Sequence, residues 1–416
     1  MIFGELILNN EKYHFQFEDY ELQIHRFETE NSDYENIEDL FSFKTIKVPD
    51  TLLGTCYPDN HKILFMQISH TGMTNNVKKF TVRSYFEIKS AFSFPQPISQ
   101  ITICAEELNN IYPPSLMYSQ TRSKDGGITA INIQRPRQSY SWEFSLDNQK
   151  ITVSSGFFHT YKWGSTPVQI QSALYFSFDP TDNYEFVVHL FDILHRLLQY
   201  LCYRQNIHCT GINIYALDED NRQISIGVFS AKWISELQPE SSIRTLEKVI
   251  SFDLIGDSLS NILQRLADHT LYFLHLPDNS LDERRITPAR SIMLAAAFEW
   301  EYSQIYLGGS TKNKGPFYDR LVRAFTDYAD CIEIFAKYKY SLNKKSYAID
   351  STARKITKAR NNFAHGDISM EYDLETLLGI SLMPYLVYAM QLRAAGINTG
   401  NIRNAINKLF DLRISV

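Results

Sequence analysis

Cysteine is scarce in this chain, and the few cysteines form no pattern. The 416 residues include five, an odd number scattered along the sequence: Cys56, Cys104, Cys202, Cys209 and Cys331. A disulfide framework uses paired cysteines at regular spacings, so the sequence predicts a reducing, cytoplasmic setting. His195 and His208 lie near two of the cysteines and raise the question of a zinc site. Their spacing matches no recognised pair-plus-pair pattern, and we predict neither a metal nor a cofactor.

Long apolar runs and the best-marked catalytic motifs are also missing. The most apolar run, residues 292–298, is too short to span a bilayer. Residues 1–17 include Glu5, Glu11 and Lys12 and alternate like a strand, which is not the pattern of a signal peptide. No Walker loop, dinucleotide-binding glycine motif, Gly-x-Ser-x-Gly or His-Glu-x-x-His sequence occurs. We therefore expect a soluble protein with no membrane partner, outside the commonest NTPase, Rossmann, hydrolase and metalloprotease classes.

The net charge of −6 conceals an uneven distribution. Residues 285–416 contain 18 basic and 12 acidic residues, whereas the rest of the chain contains 23 and 35. A basic C-terminal region is typical of a domain that binds a polyanion such as RNA. Two solvated surfaces of opposite charge would give the same counts.

The first half of the chain has the pattern of short β-strands. Runs that mix β-branched or aromatic residues with polar ones are separated by turn sequences, for example Asp125-Gly126-Gly127 and Asp147-Asn148. This favours a sandwich or barrel-like sheet. A helix over 184–203 and a hairpin over 210–229 follow, so that 1–235 forms a β-rich N-terminal region. Its aromatic residues, including Tyr140, Trp142 and Trp163, form either a binding face or, more commonly, core packing.

From residue 243 to the end the pattern is helical. Prolines occur where helices begin and glycines where they end, and apolar residues recur at intervals of three and four. The predicted helices are 243–275 with a break near Gly256, 287–307, 316–338, 346–365, 374–394 and 398–410. Such helices with short connections predict a bundle over 243–416. Two basic clusters, Lys312 with Lys314 and Lys344 with Lys345, flank an RNA path or are solvated turns.

One short motif in this region carries recognisable chemistry. Arg360 and Asn361 are followed, after three residues, by His365 and Gly366. Histidine titrates near neutral pH and serves as a general acid or base. Arginine stays charged and matches the oxygens of a phosphate, and an amide orients a histidine or holds a phosphate oxygen. These groups suit cleavage of RNA by its own 2′-hydroxyl.

The Arg360-Asn361-x-x-x-His365 motif, near the end of an all-helical region, resembles the signature of the HEPN family. HEPN domains are helical bundles, many of them metal-independent RNases of toxin and antiviral systems. The combination with a β-rich N-terminal region resembles ApeA-like antiphage proteins. The resemblance implies an endoribonuclease that leaves 2′,3′-cyclic phosphates and acts in abortive infection. It also implies a homodimer formed through the bundle and an N-terminal region that senses a phage component.

The helix that carries the motif has an apolar stripe of Ile349, Ala353, Ile356, Ala359 and Phe363. Arg360 falls about 40° from the centre of this stripe, and His365 about 140° from Arg360. The two side chains therefore do not converge from a straight helix. Either the helix unwinds at Gly366, or a second subunit brings its own motif alongside. A plainer interpretation is an arginine that pairs with a core carboxylate and a histidine at a frayed helix end.

Glu299 is the candidate for that carboxylate. It follows Ile292 and Ala296 on one face of the predicted helix 287–307. In HEPN domains an acidic residue at the end of a similar segment often faces the motif, and Ala297-Phe298-Glu299 is a loose match. We predict that Glu299 pairs with Arg360 or orients His365.

The resulting prediction is an α+β protein with catalytic residues Arg360, Asn361, His365 and Glu299. His365 would be the general acid or base, Arg360 the phosphate clamp and Asn361 the orienting residue. The alternatives are a non-catalytic HEPN-like module that binds RNA, a nucleotide or a protein, and a purely structural bundle.

Overall fold

The computed structural model describes residues 1–8, 10–26, 49–74, 77–133, 138–160, 169–310, 315–366 and 372–414. Its class is α+β, with a strand-rich N-terminal region that includes a six-stranded barrel and helices towards the C-terminus. The strands are β1 (Ile2–Leu8), β2 (Glu11–Glu18), β3 (Glu21–Arg26), β4 (Thr51–Cys56), β5 (Lys62–Thr74), β6 (Val77–Ile88), β7 (Ile98–Ala105), β8 (Tyr118–Arg122), β9 (Ile128–Ile133), β10 (Ser141–Leu146), β11 (Gln149–Thr160), β12 (Gln169–Thr181), β13 (Cys209–Leu217) and β14 (Gln223–Ala231).

The chain forms two compact units that are each assembled from three segments. The first, which we call the barrel unit, comprises Met1–Ile103, Tyr175–Val188 and His208–Leu237. The second, the helical unit, comprises Cys104–Leu174, His189–Ile207 and Gln238–Val416. The predicted boundary between 235 and 243 therefore differs from this division, because two earlier segments belong with the C-terminal helices.

The barrel closes through β1, β2, β3, β6, β5 and β4, which are antiparallel neighbours in that order, with β4 pairing back to β1. Alternate residues of β2 point inward, and the Phe15 and Phe17 rings both meet Phe65 edge-on. Gly54 leaves room for this packing, since a Cβ atom there would lie 2.7 Å from a Phe15 ring carbon. The predicted hairpin is present as β13 and β14, and β14 extends the sheet beside β6.

Five of the predicted helices are present with bounds within three residues of those predicted: 184–203, 287–307, 346–365, 374–394 and 398–410. The helices in the described ranges are α1 (Leu108–Ile111), α2 (Tyr184–Cys202), α3 (Lys232–Ser235), α4 (Ile243–Leu246), α5 (Phe252–Ile255), α6 (Leu259–Ala267), α7 (Pro288–Tyr306), α8 (Phe317–Asp327), α9 (Ala329–Leu342), α10 (Ile349–Ala364), α11 (Leu374–Ala394) and α12 (Thr399–Leu409). The predicted helix 243–275 is three short helices. Gly256, with a φ of +56°, ends the second at the predicted break, and residues 247–251 separate the first two. The predicted helix 316–338 is two helices that meet at Tyr328.

α11 is the central helix of the helical unit and packs against α7, α9, α10 and α12. It is long and apolar enough to cross a membrane by length and composition, and most of it is buried inside the protein. The sequence pattern indicated residues 292–298 as the most apolar run, whereas the apolar helix of membrane-spanning length is α11. Burial on nearly all sides explains the apolar composition of α11, as expected for a core helix.

Aromatic residues of the first half serve as packing in the helical unit. Trp142 is buried, its ring lies 4.8 Å from that of Phe252, and its indole nitrogen donates to the Gly256 carbonyl at 2.8 Å. Tyr140 stacks on Trp142 with ring centroids 5.4 Å apart. These residues match the core-packing interpretation, and Trp163 lies outside the described residues.

Candidate functional site

α10 places the motif on a helix that is anchored by the predicted apolar stripe. Ala353, Ile356, Ala359 and Phe363 are buried, and Ile349 is half-buried. The helix approaches α11 closely at Gly379, where a Cβ atom would lie 3.2 Å from Ile356. The stripe therefore fixes the rotation of α10, and with it the direction of Arg360.

Arg360 lies at the edge of this stripe and pairs with Glu299 of α7. Its Nη2 atom is 3.6 Å from Glu299 Oε2, which is the predicted pairing. Its guanidinium carbon lies 5.4 Å from the centre of the Phe317 ring, a cation–π distance. The side chain is 36% exposed, so one side of the guanidinium is accessible to solvent and to a ligand.

A second arginine, which the sequence interpretation missed, shares the same carboxylate. Arg320 of α8 donates from Nη2 to Glu299 Oε1 at 2.6 Å and is only 6% exposed. Its Nε and Nη1 atoms are buried and have no hydrogen-bond partner among the described residues. Two guanidinium groups thus meet one carboxylate, which leaves an excess of one positive charge. Arg320 falls between Phe317 and Ala324 on the buried face of α8, and a cation on an apolar stripe was the available signal.

The face of α7 that carries Glu299 is more exposed to solvent than predicted. Ile292 is 40% exposed and Ala296 is half-buried, so this face is the rim of the core. The deeply buried carboxylate of α7 is Glu301, with no exposed side-chain surface. Glu299 is 25% exposed and is held by its two arginines at the surface of the helical unit.

His365 ends α10 and is exposed. Its backbone N–H bonds the Asn361 carbonyl at 3.1 Å, and Gly366 follows with a φ of +76° and donates to the Phe363 carbonyl. The helix thus ends at the predicted glycine. The imidazole has no side-chain partner among the described residues, and Glu299 contacts Arg360 rather than His365.

Asn361 is exposed and accepts a hydrogen bond from Arg360 Nη1 at 3.2 Å. Among the described residues it therefore positions the arginine and not the histidine, which differs from the orienting role that the sequence suggested. Of the two basic clusters, Lys345 pairs with Glu375 at 3.1 Å, and Lys312 and Lys314 lie outside the described residues.

The residues that raised the zinc question have other surroundings. His195 is buried, and its Nε2 atom lies 2.8 Å from the Ile207 carbonyl. Burial raises the pKa of the Cys202 thiol to about 12, which disfavours the thiolate that zinc prefers. Within the described ranges, no group of three or more His, Cys, Asp or Glu side chains could hold a metal ion.

Glu299→Gln is expected to lower the free energy of unfolding by about 1–3 kcal/mol, because a neutral amide replaces the charged acceptor of a buried arginine. Urea denaturation followed by circular dichroism measures the change. Glu333→Gln is the matched control, since Glu333 pairs with Lys337 on the exposed surface of α9. Equal stabilities of the two variants would contradict this assignment.

Comparison of the chain with protein-family models, with curated proteins and with solved structures finds no match.

Proposed function

We propose that this protein is a metal-independent endoribonuclease of the HEPN type. The observation that carries the proposal is the Arg360-Asn361-x-x-x-His365 motif at the end of α10, with Arg360 and Arg320 around one carboxylate. An excess of positive charge at Arg360, on a helix that ends at an exposed histidine, suits a phosphodiester substrate. The basic balance of residues 285–416 supports the same substrate class.

In the proposed reaction the 2′-hydroxyl of RNA attacks the adjacent phosphorus, and the 5′-oxygen of the next nucleotide leaves. His365 accepts the 2′-hydroxyl proton and then donates it to the leaving 5′-oxygen. Arg360 holds the phosphate oxygens through its solvent-exposed side, and Asn361 keeps the guanidinium in place. The products are a 2′,3′-cyclic phosphate and a 5′-hydroxyl end.

The proposed active form is a homodimer, in which Arg360 of one copy and His365 of the other act on one phosphate. The angle of about 140° between the two positions on an ideal helix supports this arrangement. Mixing Arg360→Ala and His365→Ala proteins tests it. Random mixing makes half of the dimers heterodimers, and each heterodimer has one site in which both Arg360 and His365 are intact. The other site lacks both residues, so about a quarter of the parental rate is expected. No recovered activity would mean that the two residues do not act across subunits.

The proposed biological role is antiphage defence, with the barrel unit holding the enzyme inactive or sensing a phage component. Growth and RNA integrity during phage challenge, with the parent and His365→Ala at equal expression, test this role. Loss of both protection and RNA fragments in the variant supports it. Equal protection by both proteins would refute it.

Cleavage in excess EDTA is the direct test of the chemistry. The purified protein is expected to cut RNA at an unchanged rate and to leave cyclic phosphate ends, since histidine and arginine supply all the proposed charge and proton transfers. Mass spectrometry of the products and a parallel reaction with Mg²⁺ measure this. Cleavage that stops on chelation and returns with Mg²⁺ would contradict the proposed mechanism.

A non-catalytic RNA-binding module is the second candidate, because Arg360 is already engaged by Glu299 and is angularly distant from His365 in one chain. This candidate predicts RNA binding without cleavage at any stage of infection, and equal affinity in His365→Ala.

A further inference from the structure

The helical unit contains a cavity of about 500 Å³ whose lining includes none of Glu299, Arg360 and His365. It is lined by the start of α7, by α9, by the first half of α11 and by residues 410–412. Its volume falls in the range of small-molecule binding sites. Its lining combines apolar walls with a few polar groups, which is also typical of such sites.

Three aromatic rings form one wall of this cavity. The Phe410 ring lies 4.8 Å from that of Tyr203 and 4.6 Å from that of Tyr385. Leucine and isoleucine side chains of α7 and α11 continue the apolar surface: Leu294, Leu377, Leu378 and Ile380. This wall suits an aromatic or aliphatic body.

The charges in the lining do not balance. Four cations, Arg244, Lys248, Arg290 and Lys339, face two carboxylates, Glu283 and Asp411. Each carboxylate already forms an ion pair: Arg244 pairs with Asp411 at 2.5 Å, and Lys248 pairs with Glu283 at 3.0 Å. Neither Arg290 nor Lys339 has a carboxylate partner among the described residues. The cavity therefore holds an excess of two positive charges.

The two uncompensated cations each bond a buried phenol oxygen. Lys339 Nζ donates to Tyr385 Oη at 3.2 Å, and Arg290 Nη2 donates to Tyr203 Oη at 3.3 Å. Each phenol oxygen is thus an acceptor, and its own O–H has no acceptor among the described residues. Tyr203 and Tyr385 are both more than nine-tenths buried. Two cations and two O–H donors are the groups that a phosphate monoester requires.

We propose that this cavity binds a small organic phosphate monoester, with the phosphate on Lys339, Arg290 and the two phenols and the organic body against the Phe410 wall. This site is separate from the proposed RNase site and does not depend on it.

The protonation of Lys339 gives the proposed site a pH dependence. Burial lowers the pKa of Lys339 to about 8, and Glu283 opposes this shift only in part. Burial raises the pKa of Tyr203 to about 12, so this phenol keeps its proton. Arg244, Lys248 and Arg290 are the other cations of the cavity. Only the ammonium form of Lys339 attracts the anion. Affinity is therefore full from about pH 6, where a phosphate monoester loses its second proton, to about pH 8, and falls as the pH rises through the latter value.

Isothermal titration with 1-naphthyl phosphate tests the proposal in the full-length protein. Saturable binding is expected at pH 7.5, with inorganic phosphate and 1-naphthol each at least about tenfold weaker, because each lacks one half of the recognised structure. Lys339→Met is expected to weaken binding at least about tenfold and to abolish the pH dependence between 7 and 10. Tyr385→Phe keeps the ring and is expected to weaken binding several-fold.

Lys337→Met is the matched control, because Lys337 lies on the same helix and pairs with Glu333 on the surface. It should bind like the parent, and circular dichroism verifies the fold of every variant. Absence of binding up to about 10 mM, or equal affinity of the Lys339 and Lys337 variants, would overturn the proposal. Inorganic phosphate that binds as tightly as 1-naphthyl phosphate would overturn the assigned role of the aromatic wall.

Discussion

His365→Ala is expected to lower the rate of RNA cleavage by about 10²–10⁴-fold, the usual contribution of a general acid or base. The imidazole is exposed at the end of α10 and has no side-chain partner among the described residues. Removing it costs little packing or hydrogen bonding, so we expect the free energy of unfolding to change by less than about 0.5 kcal/mol. Single-turnover cleavage of a short RNA measures the rate, and thermal unfolding measures the stability.

A large loss of cleavage rate without a loss of stability would distinguish a catalytic role of His365 from a structural one. His269→Ala is the matched control, since His269 is another exposed histidine of the helical unit. It should cleave RNA at the parental rate. A His365 variant that keeps its activity within about twofold would exclude the proposed proton transfer, whatever its stability.

Glu301→Leu is expected to produce the largest loss of stability, about 3–5 kcal/mol. The Glu301 side chain has no exposed surface and binds Arg265 at 2.6 Å. It also accepts from the Tyr272 backbone N–H at 3.1 Å and from Gln391 Nε2 at 2.9 Å. Leucine fills a similar volume but removes the only anion paired with Arg265 among the described residues and the acceptor of the Tyr272 N–H. Unpaired buried charges and polar groups are costly. Urea denaturation measures the change.

The double variant Glu301→Leu with Arg265→Met separates the lost charge pair from altered packing. Replacing both partners by apolar residues is often close to neutral, so the double variant should recover more than half of the loss. Failure to recover would mean that the Tyr272 and Gln391 hydrogen bonds, rather than the unpaired cation, account for most of the effect.

Local patterns predicted the elements whose boundaries are set locally. α11 begins and ends at the predicted residues, and α10 ends at the predicted glycine. No proline or glycine marks the break between α8 and α9 in the sequence. There Arg393 of α11 donates to the Asp327 carbonyl at 2.9 Å and pairs with Asp330 of α9, so a residue far along the chain stabilises both helix ends.

Within the candidate site, too, local patterns predicted some contacts, whereas some contacts between distant segments were not predicted. The pairing of Glu299 with Arg360 was predicted, although the face of α7 was interpreted as more buried than it is. Arg320 had a visible signal, a cation on an apolar stripe. Glu301 had none, because its burial depends on Arg265, Tyr272 and Gln391, which come from separate segments. Long-range packing of this kind has no periodicity in the sequence.

The division of each unit into three chain segments constrains how the protein is made on the ribosome. Glu107 is synthesised early, but its buried partner Arg204 lies 97 residues later in the chain. The Tyr200 carbonyl accepts a hydrogen bond of 2.7 Å from the hydroxyl of Tyr388, which is synthesised later still. The helical unit therefore completes its core only after Tyr388 has been synthesised. An activity that needs this core would be absent from nascent chains that stop before Tyr388. No single cut in the gene would yield the helical unit alone, because its three segments alternate with those of the barrel unit.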